Sequence, residues 1–173
     1  MNLLRACTVV ALLAIGVAPR PAAALDWLSY RSIAGGFTLL LCGDPADLVR
    51  HPLEGVVTHF VLARTGDMSC IASYTDYPDD YVLHPDDELI ATRNGLVLGA
   101  GGTLMASRSL QYAAGPGRSL PALEFVATSG RLTSRGVLAF VGRRLYTWTI
   151  IAPPDVAQSP DADRFLSSFQ LVR

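Results

Sequence analysis

The chain has 173 residues, 14 Lys and Arg against 15 Asp and Glu, and half of its residues are hydrophobic. A chain of this length forms one domain with room for a substantial hydrophobic core. Its formal net charge of −1 gives no reason to expect nucleic acid or an anionic membrane surface as a partner.

The N-terminus has the pattern of a secretory signal peptide. Arg5 precedes an apolar run, Ala6–Ala18, which is shorter than the roughly 20 residues needed to span a bilayer. The small residues Ala22–Ala24 then offer a cleavage site. We expect cleavage after Ala24, with an uncleaved anchor as the alternative. The mature chain, residues 25–173, is then a single periplasmic or secreted domain without a transmembrane segment, and we expect a monomer.

Three β-rich runs open the mature chain: Phe37–Leu41, Val56–Arg64 and Ser69–Tyr77. Residues 65–68 predict a hairpin loop between the second and third runs. The sequence before Phe37 reads as a lead-in, and residues 43–55 read as a polar loop. We therefore expect the three runs to be successive antiparallel strands.

A helix is predicted next, beginning at Pro85. Proline suits the first helical position, and three acidic residues follow it, where the helix dipole favours negative charge. Leu89, Ile90, Leu96 and Val97 predict an apolar stripe, and the glycines of residues 99–102 end the helix. Two strands, Thr103–Tyr112 and Leu120–Thr128, follow.

The C-terminal region predicts a β-hairpin. Glycine at the first position of a two-residue loop is typical of a type II′ turn, which makes Gly142-Arg143 the turn between residues 137–141 and 144–151. Phe140 then pairs with Leu145, and Val137 pairs with Trp148. Both faces of the hairpin are apolar, so we expect it at the centre of a sheet that is covered on both sides.

A short capped helix follows the hairpin. Ser159 is a favourable N-cap before Pro160, and the apolar residues of 162–169 recur with helical spacing. With the earlier helix on the opposite face, the predicted fold is α+β. It is a single antiparallel β-sheet of about six or seven strands covered by helices on both faces, in the order β-β-β-α-β-β-β-β-α.

Several of these segments, in this order and spacing, resemble the PsbP/Mog1-like α/β/α sandwich domains found in many exported bacterial proteins. The resemblance spans residues 34–172 and is carried by the segments 36–41, 74–78, 124–126, 141–146 and 162–169. Cys42 departs from the pattern, because proline is expected there. The resemblance implies this fold and a non-catalytic accessory or binding role, and it transfers no catalytic residue.

Cys42 and Cys70 are the candidate disulfide pair, since exported proteins often carry such bonds. If the first three strands are neighbours in one sheet, however, the two residues lie at opposite edges, roughly 13–16 Å apart. A disulfide requires Cα atoms within about 7 Å. We therefore favour two buried free thiols.

Candidate metal ligands are sparse. Asp76, Asp79, Asp80 and residues 86–88 form an acidic segment that could hold Ca²⁺ or Mn²⁺, but its spacing fits no EF-hand loop. A solvated loop and a helix N-terminus explain it better. The only histidines, His51, His59 and His84, are scattered and show no zinc-binding spacing. We expect no metal and no cofactor.

Catalytic motifs are weaker still. Cys70, Ser73 and Ser129 are candidate nucleophiles only if the fold places one of them beside a histidine, and none lies in a known nucleophile motif. We therefore expect no enzyme. Arg143 and Arg144, at the tip of the C-terminal hairpin, are expected to project into water, where they are candidate contacts for an acidic protein partner.

The sequence thus favours an exported, non-enzymatic accessory or interaction domain whose partner it does not name. A binder of a small ligand or divalent cation, using a pocket between sheet and helix or the segment from Asp76 to Glu88, is the alternative. A hydrolase with an unfamiliar site is a more remote one.

Overall fold

The computed structural model describes residues 26–53 and 55–172. The predicted signal peptide and its cleavage after Ala24 lie outside these residues. Ten strands and three helices occur in the described chain. The strands are β1 (Leu28–Ser32), β2 (Phe37–Leu41), β3 (Ala46–Leu53), β4 (Val56–Thr65), β5 (Met68–Asp76), β6 (Thr103–Ala113), β7 (Ser119–Ser129), β8 (Leu132–Val141), β9 (Arg144–Ala152) and β10 (Gln170–Leu171). The helices are α1 (Pro85–Gly99), α2 (Pro154–Ala157) and α3 (Pro160–Ser167).

The strands form two sheets, so the predicted single sheet is wrong. Seven antiparallel strands form the large sheet in the order β3-β4-β5-β9-β8-β7-β6, and β1, β2 and β10 form a small one. β2 pairs with β1 and β10, not with β4. β1 and β3, which the sequence predicted as lead-in and loop, are both strands, and α2 and β10 are further elements that the predicted order lacks. The α+β class and the helices on both faces of the large sheet are confirmed.

The predicted C-terminal hairpin is confirmed in register and position. Phe140 lies opposite Leu145, and Val137 lies opposite Trp148. Gly142 has a φ of 61°, as the first position of a type II′ turn requires. β9 is the central strand of the seven, and residues Leu145 to Ile150 are all buried. The apolar character of both faces therefore marked the centre of the sheet.

One face of β9 packs against the small sheet and α3. Trp148 stacks on Phe169 with a ring-centroid distance of 4.3 Å, and its indole N–H donates to the Leu166 carbonyl oxygen at 2.9 Å. Phe165 of α3 is fully buried in the same cluster. The Ser159 hydroxyl accepts the Ala162 N–H at 3.4 Å, which caps the helix as predicted.

The opposite face of the large sheet packs against α1. Leu89 and Val97 are the buried residues of this helix, and they lie against Phe125 and Leu138. Ile90 and Leu96 are partly exposed on either flank, so the predicted apolar stripe is narrower than its spacing indicated.

Cys42 and Cys70 form a disulfide with a Cα–Cα distance of 6.0 Å, so the prediction of two free thiols is wrong. The prediction failed because it placed β2 beside β4 in one sheet. β2 instead lies in the small sheet, stacked over the face of β5. The following chain packs closely on β4, since a Cβ on Gly43 would meet the Arg64 carbonyl oxygen at 2.5 Å.

We predict that breaking this bond destabilises the fold. The disulfide closes a sequence separation of 28 residues between the two sheets. Cys42→Ala with Cys70→Ala should lower the free energy of unfolding by about 2–4 kcal/mol, measured by urea denaturation. Dithiothreitol should shift the wild-type midpoint in the same direction and leave the double variant unaffected. An unchanged wild-type midpoint under reduction contradicts the prediction.

Gly136 provides a second test, because its missing side chain leaves room for others. A Cβ there would lie 2.5 Å from both the Phe125 ring and the Thr149 hydroxyl oxygen. Gly136→Ala should therefore cost about 1–3 kcal/mol of stability through overpacking. Gly95→Ala is the matched control: nothing lies within 4 Å of the new Cβ, and the change should stabilise α1 by about 0.5–1 kcal/mol. Similar effects of the two substitutions on the unfolding midpoint would contradict this.

Candidate functional site

The arginines of the β8–β9 turn are bonded within the chain and do not project into water as predicted. Arg143 donates to the Tyr81 carbonyl oxygen at 2.6 Å and also to the carbonyl oxygen of Pro78. Arg144 makes a bidentate pair with the Asp76 carboxylate, at 2.5 and 2.8 Å, and donates to the Ala34 carbonyl oxygen. These contacts hold the loop after β5 and the small sheet in place.

Arg144 also links two aromatic residues to the turn. Its guanidinium lies 4.6 Å from the centroid of the Tyr74 ring, and the His59 ring stacks on Tyr74 at 4.5 Å. The hydrogen bonds to Asp76 outweigh burial and raise the pKa of Arg144 above its usual range. His59 therefore lies in a packed stack, and the side chain of His51 lies outside the described residues.

The acidic segment is divided among separate contacts. Asp76 is held by Arg144, while the Glu88 carboxylate accepts hydrogen bonds from the hydroxyls of Tyr81 at 2.6 Å and Tyr77 at 3.3 Å. Burial, followed by the Glu88 charge, raises the pKa of Tyr77 to about 12. Over residues 26–53 and 55–172, no three His, Cys, Asp or Glu side chains are grouped so that they could hold a metal ion.

In the described part of the chain, no hydrogen bond joins a candidate nucleophile to a histidine. Cys70 is in the disulfide, and the Ser129 hydroxyl donates to the Ala100 carbonyl oxygen at 2.5 Å. Ser73 lies on the α1 face of the sheet, whereas His59 pairs with Tyr74 on the other face. Ser73 and His59 therefore point to opposite sides of the sheet.

Sequence reasoning missed the two surfaces beside α1. On one flank, Ile90 is 45% exposed and borders a cleft against β6. On the other flank, Glu88, Thr92 and Leu96, each four residues apart, line a groove over β4, β5 and β9. The four-residue spacing can be read from the sequence. Because the three residues are charged, polar and apolar, however, they form no hydrophobic periodicity that would indicate a groove.

The β6 flank combines an apolar surface with an unpaired strand edge. β6 is the last strand of the large sheet, and its residues from Thr103 to Ser109 are all exposed. Leu104 and Met105 lie in this stretch, and Met105 is 63% exposed. The Arg93 guanidinium donates to the Ser107 hydroxyl at 3.0 Å, which holds helix and strand side by side. A cleft of about 440 Å³ lies between them, lined in part by Leu89, Ile90, Leu110, Pro121 and Leu123.

The two edges of the large sheet differ in how well they are protected. β3 carries Asp47, Arg50 and Pro52 within eight residues, and charges and proline discourage pairing with another strand. β6 has eleven residues with a single charged one, Arg108, which is paired with Glu124 at 2.5 Å. A register shift between Leu104 and Ala106 is its other protective feature. β6 is therefore the edge more open to an extended partner.

The Arg144–Asp76 pair yields a prediction about the turn. Arg144→Gln should lower stability by about 1–2 kcal/mol, because it removes a bidentate pair that is only partly exposed and the bond to Ala34. Arg108→Gln is the control: this side chain is 74% exposed, and its loss should cost less than about 0.5 kcal/mol. Thermal denaturation of the two variants tests this prediction. Equal losses of stability in the two variants would contradict it.

No family model matches the chain, and no curated protein matches it. Solved structures do match the chain. One of them is the solution structure of cyanobacterial PsbP (CyanoP) from Synechocystis sp. PCC 6803, with a TM-score of 0.58 at 16% identity. The match covers 97% of this chain and 98% of that chain. At this identity the similarity concerns the fold, and the chain has a PsbP-like fold.

Proposed function

We propose that the chain is an exported, non-enzymatic interaction domain that binds an extended segment of a partner protein along β6. The observation that carries this proposal is the weakly protected edge of β6 beside the exposed apolar flank of α1. The PsbP-like fold supports an accessory role, and the disulfide between Cys42 and Cys70 supports an oxidising compartment, periplasmic or extracellular.

The chemistry of the β6 edge selects the kind of partner. The unpaired N–H and C=O groups of an edge strand are satisfied by another extended backbone. Side chains of such a strand point alternately to the two faces of the sheet. On the α1 face they would meet Ile90 and the apolar cleft beside it, so a segment with alternating apolar residues fits best.

Among residues 26–53 and 55–172, no helix is long and apolar enough to cross a membrane. We propose that the domain acts as a monomer.

Capture with matched edge variants tests the proposal. Met105→Lys, on β6, should reduce recovery of the cross-linked partner from an extract of exported proteins about tenfold or more, because a lysine on an edge strand discourages pairing with another strand. Leu48→Lys is the control, since Leu48 is 49% exposed on β3, at the opposite edge. Each recovered protein is then purified and titrated against both variants.

Two results would count against the proposal. If Leu48→Lys abolishes binding and Met105→Lys does not, the docking edge is β3. If the purified partner binds both variants as well as the wild-type chain, neither edge is the docking site.

A further inference from the structure

The groove on the other flank of α1 has the shape and chemistry of a small-molecule site. α1 packs mainly on β6, β7 and β8, so the same face of the sheet continues past the helix over β9, β5 and β4. A groove of about 260 Å³ follows this boundary, with Phe60, Leu96 and Leu145 among its apolar walls. Together with the smaller cavity at its inner end, it approaches the size range of ligand pockets.

The inner cavity, of about 80 Å³, lies under the C-terminal half of α1. It shares Phe60, Ser73, Leu96 and Thr147 with the groove, so the two spaces adjoin each other. Phe125, Ala127 and Ile151 make it apolar. This end suits a hydrocarbon chain.

Buried hydroxyl groups line the floor of both spaces. Thr58, Ser73, Thr75, Thr147 and Thr149 are each at most 9% exposed. The Thr58 and Thr75 hydroxyls bond each other at 2.9 Å. The Thr149 hydroxyl, 8% exposed at the inner cavity, is buried without a hydrogen-bond partner among the described residues. An unpaired buried polar atom is costly, so the Thr149 hydroxyl is a cost in stability that the fold retains at this cavity.

The outer end of the groove carries a fixed negative charge. The Glu88 carboxylate is oriented by the hydroxyls of Tyr77 and Tyr81, which donate to it. A carboxylate accepts about four hydrogen bonds, so it can also accept from a ligand. This end favours an ammonium or hydroxyl group and disfavours a carboxylate.

We propose that this groove binds a single-chain amphiphile, with its hydrocarbon chain along the groove and the end of that chain in the inner cavity, and a donating head group, ammonium or hydroxyl, against Glu88. The site lies on the opposite flank of α1 from β6. It is therefore independent of the proposed docking edge, and the purified chain alone should show it.

Fluorescence of N-phenylnaphthylamine, a neutral apolar probe, measures occupancy. Added to chain purified without detergent, the probe should brighten, and decylamine or decanol should displace it. Decanoate should displace it about tenfold less well, because Glu88 repels its head group. Glu88→Gln should remove the difference between decylamine and decanoate.

Two further variants locate the probe. Ser73→Leu fills the space shared by groove and cavity and should weaken probe binding about tenfold. Thr149→Val keeps the shape and makes the inner cavity more apolar, so it should raise the melting temperature and strengthen displacement by decanol, whose hydrocarbon chain lies there. Thr133→Val is the control, because this buried threonine of β8 lies on the opposite face of the sheet and should change neither readout.

The proposal is overturned if the probe does not bind, or if decanoate displaces it as well as decylamine does. It is also overturned if a folded Ser73→Leu chain binds the probe unchanged. Should Ser73→Leu fail to fold, the Glu88→Gln competition decides alone, since that side chain lies at the groove mouth and fills no core position. None of these outcomes depends on a protein partner.

Discussion

The burial of β9 on both faces is the constraint on which the rest of the structure depends. Six consecutive residues of this strand, from Leu145 to Ile150, are buried, so both sides of the sheet must be covered. Trp148 anchors one cover, because its ring stacks on Phe169 and its N–H bonds the Leu166 carbonyl oxygen. Losing either cover would expose the central strand to water.

The two covered faces differ in their packing chemistry. The face toward α3 and the small sheet is closed by aromatic rings, with Phe37, Tyr112, Tyr146, Trp148 and Phe169 in mutual contact. Each polar end in this group is used: the Tyr112 hydroxyl donates to the Leu166 carbonyl oxygen and the Tyr146 hydroxyl to that of Gly35. Such a layer is a stable support for the central strand.

The face toward α1 is covered only in part. One short helix spans β6 to β8, and beyond it the sheet floor is rich in threonine and serine. Both proposed sites border this helix: an edge strand for a protein segment on one flank, and a groove for an amphiphile on the other. The position of α1 therefore determines which surfaces remain accessible.

Local features of the fold were predictable from the sequence, including the Gly142-Arg143 turn, the Ser159 cap and the start of α1 at Pro85. Each depends on residues within a few positions of one another. β1 and β3 were not predicted, because β1 is a short, largely exposed strand and β3 an exposed edge strand, so neither shows the alternation of a half-buried strand. The candidate site could hardly be predicted from the sequence, because the groove lies between α1 and strands that are distant from it in sequence.

The sequence by itself determined the α+β class, the pairing of β8 with β9 and the central place of that hairpin, because hydrophobic pattern and turn chemistry are local. Only the tertiary structure decided that β2 belongs to a second sheet, which brings Cys42 to Cys70. It also decided that Arg143 and Arg144 bond the chain itself and that the floor of the α1 groove is lined with hydroxyls. These depend on which distant segments pack together, and that choice is made by the free energy of the whole core rather than by any one segment.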